Sequence, residues 1–291
     1  MRAILAACLL CLSAAAFAGQ PDVFSPDLAA MRTGGSSAAL ADFRLAAQPR
    51  DNAKELKWNQ LAAQQGQAIA QYNLGTLYQQ GLGVPVNYTK AVKWLQLAAD
   101  QGFALAQAEL GGMYELGQGV SQNYAKALKW YRLAAQQGNA WAQGMLGNMY
   151  HDGQGVPQDY VQALKWYRLA AQQGNAWAQG MLGNMYYDGQ GVPQDYAKAL
   201  KWNRLAAQQG NAIAQFNLGI AYGKGQGVPQ NYVAAYKWNA TAKGAAKPAS
   251  KTYKVASENM SILSKRMSPT QIAQAQQEAS AWQAVHHKGS R

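Results

Sequence analysis

Cysteine is almost absent from this sequence: Cys8 and Cys11 are the only two among 291 residues. Both lie in a start typical of a cleaved secretory signal peptide, where a short basic end and an apolar run over residues 3–16 precede Ala16-Phe17-Ala18. If residues 1–18 are removed, the remaining chain has no thiol for a disulfide, a nucleophile or a metal site. We therefore predict a periplasmic or secreted protein that is stabilised by packing alone.

Histidine, acidic residues and long apolar runs are also scarce. The histidines are His151, His286 and His287, so few bases exist for a nucleophilic triad, and we interpret His151 as a surface residue. No later stretch reaches the roughly 20 unbroken apolar residues of a transmembrane helix. The 26 basic and 14 acidic residues leave a net charge of +12, which favours acidic partners such as anionic envelope polymers, lipid headgroups or acidic proteins. Predicted export argues against nucleic acid as a partner.

The dominant feature that is present is a repeat of 36 residues. Two neighbouring units, 139–174 and 175–210, differ at only four positions, which indicates a tandem duplication. One tryptophan recurs in each unit, and we predict that this series packs in the core. Its members are Trp58, Trp94, Trp130, Trp166, Trp202 and Trp238.

Each unit is predicted to form two helices joined by a tight loop. Apolar residues recur at helical spacing in both halves, and a loop such as Gly153-Gln154-Gly155-Val156-Pro157 separates them. An Asp or Asn, such as Asp51 or Asn87, precedes each second helix as a cap, and a glycine such as Gly102 follows it. The predicted solenoid spans 51–246, with a half repeat at 51–66 and repeats at 67–102, 103–138, 139–174, 175–210 and 211–246.

The two ends depart from this pattern. Residues 19–50 are predicted to form a flexible leader that includes a degraded first helix. Residues 247–291 are predicted to form capping helices, one of them near 250–265, and a basic tail. Ser268-Pro269-Thr270-Gln271 has the form of a capping box, which predicts the start of the last helix. The apolar positions of that helix, which we expect to cover the final repeat, are Ile272, Ala275, Ala279, Trp282 and Val285.

One copy of the repeat, residues 142–174, has the sequence A-Q-G-M-L-G-N-M-Y-H-D-G-Q-G-V-P-Q-D-Y-V-Q-A-L-K-W-Y-R-L-A-A-Q-Q-G. It resembles the Sel-one-like repeat family, a tetratricopeptide-like class, and the resemblance covers about residues 50–246. The resemblance implies an all-α, right-handed superhelical solenoid that acts as a protein-interaction scaffold, with first helices lining a concave groove. Certain secreted members carry a β-lactamase label and are rich in cysteine, whereas this chain has only Cys8 and Cys11, both in the predicted signal peptide.

A face of the first helices varies between copies while the core positions stay constant. It comprises positions 69, 73, 76 and 80 and their equivalents, about a quarter-turn from the core stripe. Aromatic anchors, methionine and amides on this face suit an extended peptide, although packing between repeats is the alternative explanation. The candidate groove residues are Asn73, Glu109, Trp141, Met145, Asn148, Asp152, Trp177, Met181, Asn184, Asp188 and Asn217.

A second series of positions, on the second helices, is basic. Each tryptophan follows a lysine, and an arginine stands one turn later in several copies. This stripe is either a solvated outer face or a surface that docks on anions. It comprises Lys93, Lys129, Arg132, Lys165, Arg168, Lys201 and Arg204.

The predicted function is that of an adaptor without catalytic activity, cofactor or metal, a monomer that binds a peptide or protein segment in its groove. One alternative is an envelope-anchoring module that binds anionic surfaces through the basic stripe. Another is a hydrolase of β-lactam or glycan type, for which Asp152 and Asp188 are the candidate carboxylates. Each of these two aspartates is also explained as a solvated turn residue.

Overall fold

The computed structural model describes residues 52–286, with side chains from residue 56 onward. Thirteen α-helices form this part of the chain, and it contains no strand. The predicted signal peptide, the leader with its degraded first helix, the cap at Asp51 and His287 lie outside the described residues. The helices are α1 (Asn52–Gln64), α2 (Ala68–Gln80), α3 (Tyr88–Asp100), α4 (Ala104–Leu116), α5 (Tyr124–Gln136), α6 (Ala140–Asp152), α7 (Tyr160–Gln172), α8 (Ala176–Asp188), α9 (Tyr196–Gln208), α10 (Ala212–Lys224), α11 (Tyr232–Ala245), α12 (Lys251–Ser264) and α13 (Pro269–His286).

Helices α2 to α11 form five successive helix pairs. In each pair a first helix packs on a second helix, and that second helix also contacts the first helix of the next pair. The first helices are α2, α4, α6, α8 and α10, and the second helices are α3, α5, α7, α9 and α11. Helix α1 contacts α2 as a second helix would, so the described solenoid starts on half a pair.

Polar side chains cap the starts of the second helices. The side-chain oxygen of Asn87 accepts the backbone N–H of Lys90 at the start of α3, and the same cap recurs at every later second helix. First helices end on a left-handed glycine, such as Gly153 with φ 71°. The predicted Asp or Asn caps of the second helices and the predicted glycine stops of the first helices are confirmed where the structure describes them. A further set of caps, on α6, α8 and α10, was not predicted: Asn139, Asn175 and Asn211.

The two helices of a pair approach most closely at one glycine. A Cβ at Gly147 would lie 2.6 Å from the ring of Tyr167, so only glycine leaves room for that ring. The equivalent contact joins Gly111 to Tyr131. Both tyrosines are among the largest fully buried side chains. The central core position is therefore the residue that follows each tryptophan.

The predicted core packing of the tryptophan series is confirmed for five members, which contact hydrophobic clusters, and is wrong for Trp58. Two are buried, three are half-buried, and Trp58 is 73% exposed. The five later tryptophans lie at the junction with the preceding unit, as Trp130 does in a cluster with Leu95 and Ala98. The buried members are Trp130 and Trp238, and the half-buried members are Trp94, Trp166 and Trp202.

Glutamine side chains tie successive pairs together. Gln173 Nε2 donates to Gln143 Oε1 in α6 at 2.7 Å, and Gln143 Nε2 donates to the carbonyl of Ala135 in α5 at 3.2 Å. The chain of contacts thus joins the end of one pair to the end of the pair before it. It recurs as Gln101–Gln71–Ala63, Gln137–Gln107–Ala99 and Gln209–Gln179–Ala171.

Helices α12 and α13 cover the last pair. Ser268 and Gln271 exchange the two hydrogen bonds of a capping box, which confirms the predicted start of α13. Trp282 packs edge-on against Trp238 with ring centres 4.9 Å apart. Val285 is 71% exposed, so the prediction that it covers the final repeat is wrong. Val285 lies in the last turn of α13, three residues beyond Trp282, which packs on the final repeat.

The first helices form the inner side of the array. Successive first helices touch directly: Asn217 of α10 bonds to Asn184 of α8, and a Cβ at Gly144 of α6 would meet the ring of Trp177 of α8. In a curved array the elements on the inner side lie closest to one another, so the second helices form the outer face. No helix within residues 52–286 combines the length and apolar character needed to cross a membrane.

Candidate functional site

A row of asparagines lies on the inner face. Asn148 and Asn184 occupy equivalent positions of α6 and α8, and both are partly exposed. Each uses its Oδ1 as an acceptor, Asn148 from the Tyr167 hydroxyl at 3.4 Å and Asn184 from Asn217 Nδ2 at 2.7 Å. Among the hydrogen bonds of residues 56–286, none uses the Nδ2 of Asn148 or Asn184. These two amide donors are therefore held in place and available to a ligand.

Trp141 and Trp177, predicted as aromatic anchors, turn toward the junctions between units. Trp141 packs edge-on against Tyr131, with ring centres 5.4 Å apart, and Trp177 packs in the same way on Tyr167 at 5.5 Å. Trp141 is 9% exposed, so it offers a ligand almost no surface, while Trp177 is half-buried. The alternative of packing between repeats describes both side chains better.

A covariation in the sequence could have revealed this role. Tryptophan stands ten residues after a core tyrosine in two copies, whereas Asn203 in the core position is followed by Ile213. The two positions change together because they are in contact.

Other members of the predicted groove also differ in accessibility. Glu109 is only 4% exposed, so it is a core group rather than a ligand contact. Met145 and Met181 are half-buried and pack against hydrophobic clusters that each unit shares with the preceding one. Asn73 is partly exposed, and its Nδ2 donates to Asn59 Oδ1 at 3.3 Å. The open part of the inner face is therefore narrower than predicted and is mainly polar.

Acidic groups lie near the ends of α4, α6 and α8, and on α6 and α8 they accompany the asparagines. Asp152 and Asp188 end α6 and α8 at equivalent positions; Asp152 is partly exposed and Asp188 is exposed. Glu115 near the end of α4 accepts a hydrogen bond from the Tyr131 hydroxyl at 2.5 Å. Sequence reasoning did not select Glu115, since its equivalents are His151 and Tyr187 and show no common chemistry.

His151 is buried, so its predicted place on the surface is wrong. Its Nδ1 lies 2.6 Å from Asp152 Oδ1, and its Nε2 lies 3.3 Å from Gln190 Oε1 in the loop of the next unit. The ring of Tyr160 packs edge-on against the imidazole. In the next unit Tyr187 takes this place, and its hydroxyl donates to Gln226 at 3.0 Å. In α6 and α8 this position therefore joins the first helix to the loop of the following unit.

The titratable groups of this region have shifted pKa values. Burial raises the pKa of Glu115, and the negative charge of Asp152 adds to the rise, although the bond from Tyr131 opposes it. Burial lowers the pKa of His151, but its hydrogen bond to Asp152 and the charge of that carboxylate raise it above its ordinary value overall. Burial also raises the pKa of Asp188. The three groups hold protons more readily than free side chains do.

The geometry gives little support to the hydrolase alternative. Both ring nitrogens of His151 have protein partners, and the ring is buried. His151 would have to lose a hydrogen bond to Asp152 or Gln190 before it could act as a catalytic base. Asp188 is in the adjacent unit, where it acts on His151 only through its charge. Among the described residues, no group of three His, Cys, Asp or Glu side chains converges as metal ligands would.

The basic stripe lies on the outer face, and all seven of its predicted members are exposed. Its arginines are oriented by tyrosine hydroxyls of the next unit, as in the bond from Arg168 to Tyr186 at 3.2 Å. Lys129 and Lys165 lie over the rings of the tryptophans that follow them, at 5.2 and 5.9 Å. No ion pair found within residues 56–286 involves any of the seven side chains.

The match to known proteins agrees with this architecture. The Sel1 repeat model matches the chain five times, over 68–103, 104–139, 142–175, 178–211 and 212–238. The chain belongs to the Sel1 repeat family. Proteins with Sel1 repeats are generally non-enzymatic scaffolds that bind protein partners.

Solved structures of Sel1 repeat proteins resemble the chain over most of its length. The crystal structure of the Sel1 repeat protein from Oxalobacter formigenes is 33% identical with a TM-score of 0.66, and the match covers 79% of this chain and 97% of that one. A sel1 repeat protein from Klebsiella pneumoniae is 22% identical with a TM-score of 0.46, covering 72% and 99%. No protein with curated annotation matches the chain.

Proposed function

We propose that this Sel1 repeat protein is an exported, monomeric adaptor that binds an extended polypeptide segment along its inner face. The observation that carries the proposal is the pair of oriented amide donors at Asn148 and Asn184, each on the inner side of its own repeat. An extended peptide presents carbonyl oxygens at regular intervals, so a solenoid with a donor in each of two successive repeats can hold its main chain.

The neighbouring groups complete the proposed site. Asn217 Oδ1 makes no hydrogen bond within residues 56–286, so it can accept a peptide N–H. Asp152 and Asp188 follow the asparagines at the ends of α6 and α8 and favour donor side chains in the ligand. The half-buried methionines adapt to different apolar side chains. The face thus recognises a main chain and tolerates variety in its side chains.

Export is part of the proposal and rests on the sequence of residues 1–18. Mass measurement of the protein recovered from its own cells should give a chain that lacks these residues. A chain that retains them, in the cytoplasmic fraction, would contradict export.

Selection of displayed random peptides on the purified protein tests the groove. Peptides selected on the parent should bind the double variant Asn148→Ala, Asn184→Ala about tenfold more weakly, since two hydrogen bonds to the main chain are lost. The matched control is Lys165→Ala, Lys201→Ala on the outer face, which should bind them as the parent does. Circular dichroism checks that both variants fold. Peptides that bind the asparagine variant as tightly as the parent would contradict the proposal.

A further inference from the structure

The outer face differs sharply in charge from the inner face. The second helices α3, α5, α7, α9 and α11 contain twelve Lys or Arg residues and one acidic residue, Asp100. The first helices α2, α4, α6, α8 and α10 contain four acidic residues and one Lys. Helices α5, α7, α9 and α11 have no acidic residue at all. The solenoid therefore has an inner acidic side and an outer basic side.

Leucines share the outer face with these cations. Leu97 and Leu169 lie four residues after Lys93 and Lys165, so each leucine is one helical turn from its lysine on the same side. Both leucines are exposed, Leu97 to 41%. The same spacing places Leu133 and Leu205, which are half-buried, beside the lysines and arginines of α5 and α9.

Three successive second helices repeat this arrangement. Each has a lysine, an arginine three residues later and a leucine four residues later, so three side chains of one helical face form a small cationic and apolar patch. We name this surface the lysine–leucine face. It consists of Lys129, Arg132 and Leu133; Lys165, Arg168 and Leu169; and Lys201, Arg204 and Leu205; and it continues onto α3 with Lys93 and Leu97.

The cations of this face are arranged for an external anion. Arg132, Arg168 and Arg204 each donate to a tyrosine hydroxyl, a neutral acceptor that leaves their charge uncompensated. A soluble polyanion would need only the charges, whereas the interleaved leucines add apolar contact. Basic side chains mixed with exposed leucine are typical of surfaces that lie on anionic bilayers.

We infer that the lysine–leucine face binds the surface of a membrane that contains anionic phospholipids. The lysines and arginines contact the phosphate groups, and the leucines enter the boundary between headgroups and acyl chains. The inner face points away from the bilayer in this orientation. It stays open to a polypeptide, although membrane binding does not depend on the groove.

Cosedimentation with lipid vesicles tests this inference on the purified protein. The protein should bind vesicles that contain about one-third phosphatidylglycerol and stay in solution with pure phosphatidylcholine vesicles. The triple variant Lys129→Glu, Lys165→Glu, Lys201→Glu should partition about tenfold or more weakly. A control with the same change in charge, Lys247→Glu, Lys254→Glu, Lys265→Glu, alters exposed cations outside the face and should partition within about twofold of the parent.

The variant Leu97→Ser, Leu169→Ser separates a lipid surface from a soluble polyanion. It keeps every charge, and since both leucines are exposed it should retain the fold, which circular dichroism checks. Weaker vesicle binding with unchanged binding to polyphosphate would support the inference. Unchanged vesicle binding by the leucine variant, equal loss in the charge control, or no binding to anionic vesicles by the parent would overturn it.

Discussion

Gly147 shows how a single residue sets the distance between the two helices of a repeat. The change Gly147→Ala places a methyl group 2.6 Å from the ring of Tyr167, a rigid and fully buried neighbour. Because the helices must separate or the ring must tilt, we expect a loss of about 1–3 kcal/mol in the free energy of unfolding. Urea unfolding followed by circular dichroism measures it.

Gly180 provides the matched control for that substitution. It is also helical, but its Cβ would have no neighbour closer than 3.7 Å. Alanine there should be neutral or stabilising by up to about 1 kcal/mol, since it favours the helix. Equal destabilisation at both glycines would show that close approach is not the cause.

His151 makes the stability of the third repeat depend on pH. Its pKa is higher in the folded protein than the ordinary value of 6.5, so the folded state binds this proton more tightly than the unfolded state does. The resulting stability is fully present below pH 6.5 and is lost as the pH rises through the folded value. The change His151→Tyr copies the next repeat and removes this titration.

Thermal unfolding at a series of pH values checks this prediction. Relative to the His151→Tyr variant, the parent should be most favoured at acidic pH and progressively less so above neutrality. The pKa values of the nearby carboxyl groups Glu115 and Asp188 are raised as well. Both groups are present in the parent and in the variant, so the comparison isolates the titration of His151. A difference in Tm that stays constant with pH would contradict the assignment.

At the scale of elements, the glutamine chain is the contact that unites one helix pair with the next. The change Gln173→Ala leaves the buried Oε1 of Gln143 without its donor, and we expect a cost of about 1–3 kcal/mol in the free energy of unfolding. Gln172→Ala is the control, because Gln172 is an exposed neighbour of Gln173. Urea unfolding should separate the two variants, and similar midpoints would indicate that the chain contributes no stability.

The glutamine chain also explains a difference at the C-terminal end. Gln215 continues the series through its bond to the carbonyl of Ala207, but the position from which its donor would come is Ala245. The Oε1 of Gln215 is buried there without a partner. The last pair is held instead by α12 and α13, whose packing on α11 takes the place of a further repeat.

At the scale of the whole molecule, repetition made the helices predictable and the contacts between repeats much less so. Caps and left-handed glycines follow from local backbone chemistry, and for that reason the helix ends agree with the sequence. The direction in which the side chain of Trp130 or Trp141 points depends on how neighbouring repeats stack. The spacing of residues within a single repeat carries no information about that stacking. The burial of His151 likewise depends on Gln190 of the following repeat.

The same reasoning explains which predicted site residues remain on the open inner face. Asn148 and Asn184 stay partly exposed because they lie beside the junctions, whereas Glu109 and Trp141 lie within them. Comparison of equivalent positions located the variable face. It could not separate residues that vary to suit a ligand from residues that vary to suit a packing partner in the neighbouring repeat. The sequence signal for variation of the packing type was that Trp141 accompanies Tyr131, whereas Ile213 accompanies Asn203.

Site-specific photocrosslinking is the most direct test of the claim that the inner face holds a polypeptide. A photoreactive residue replaces Met145 or Met181 on the inner face, or Lys165 on the outer face, in cells that produce the protein. The account predicts that both inner positions crosslink to the same polypeptide, identified by mass spectrometry, and that the outer position does not. Protein adducts from Lys165 alone, or none from either methionine position, would contradict it.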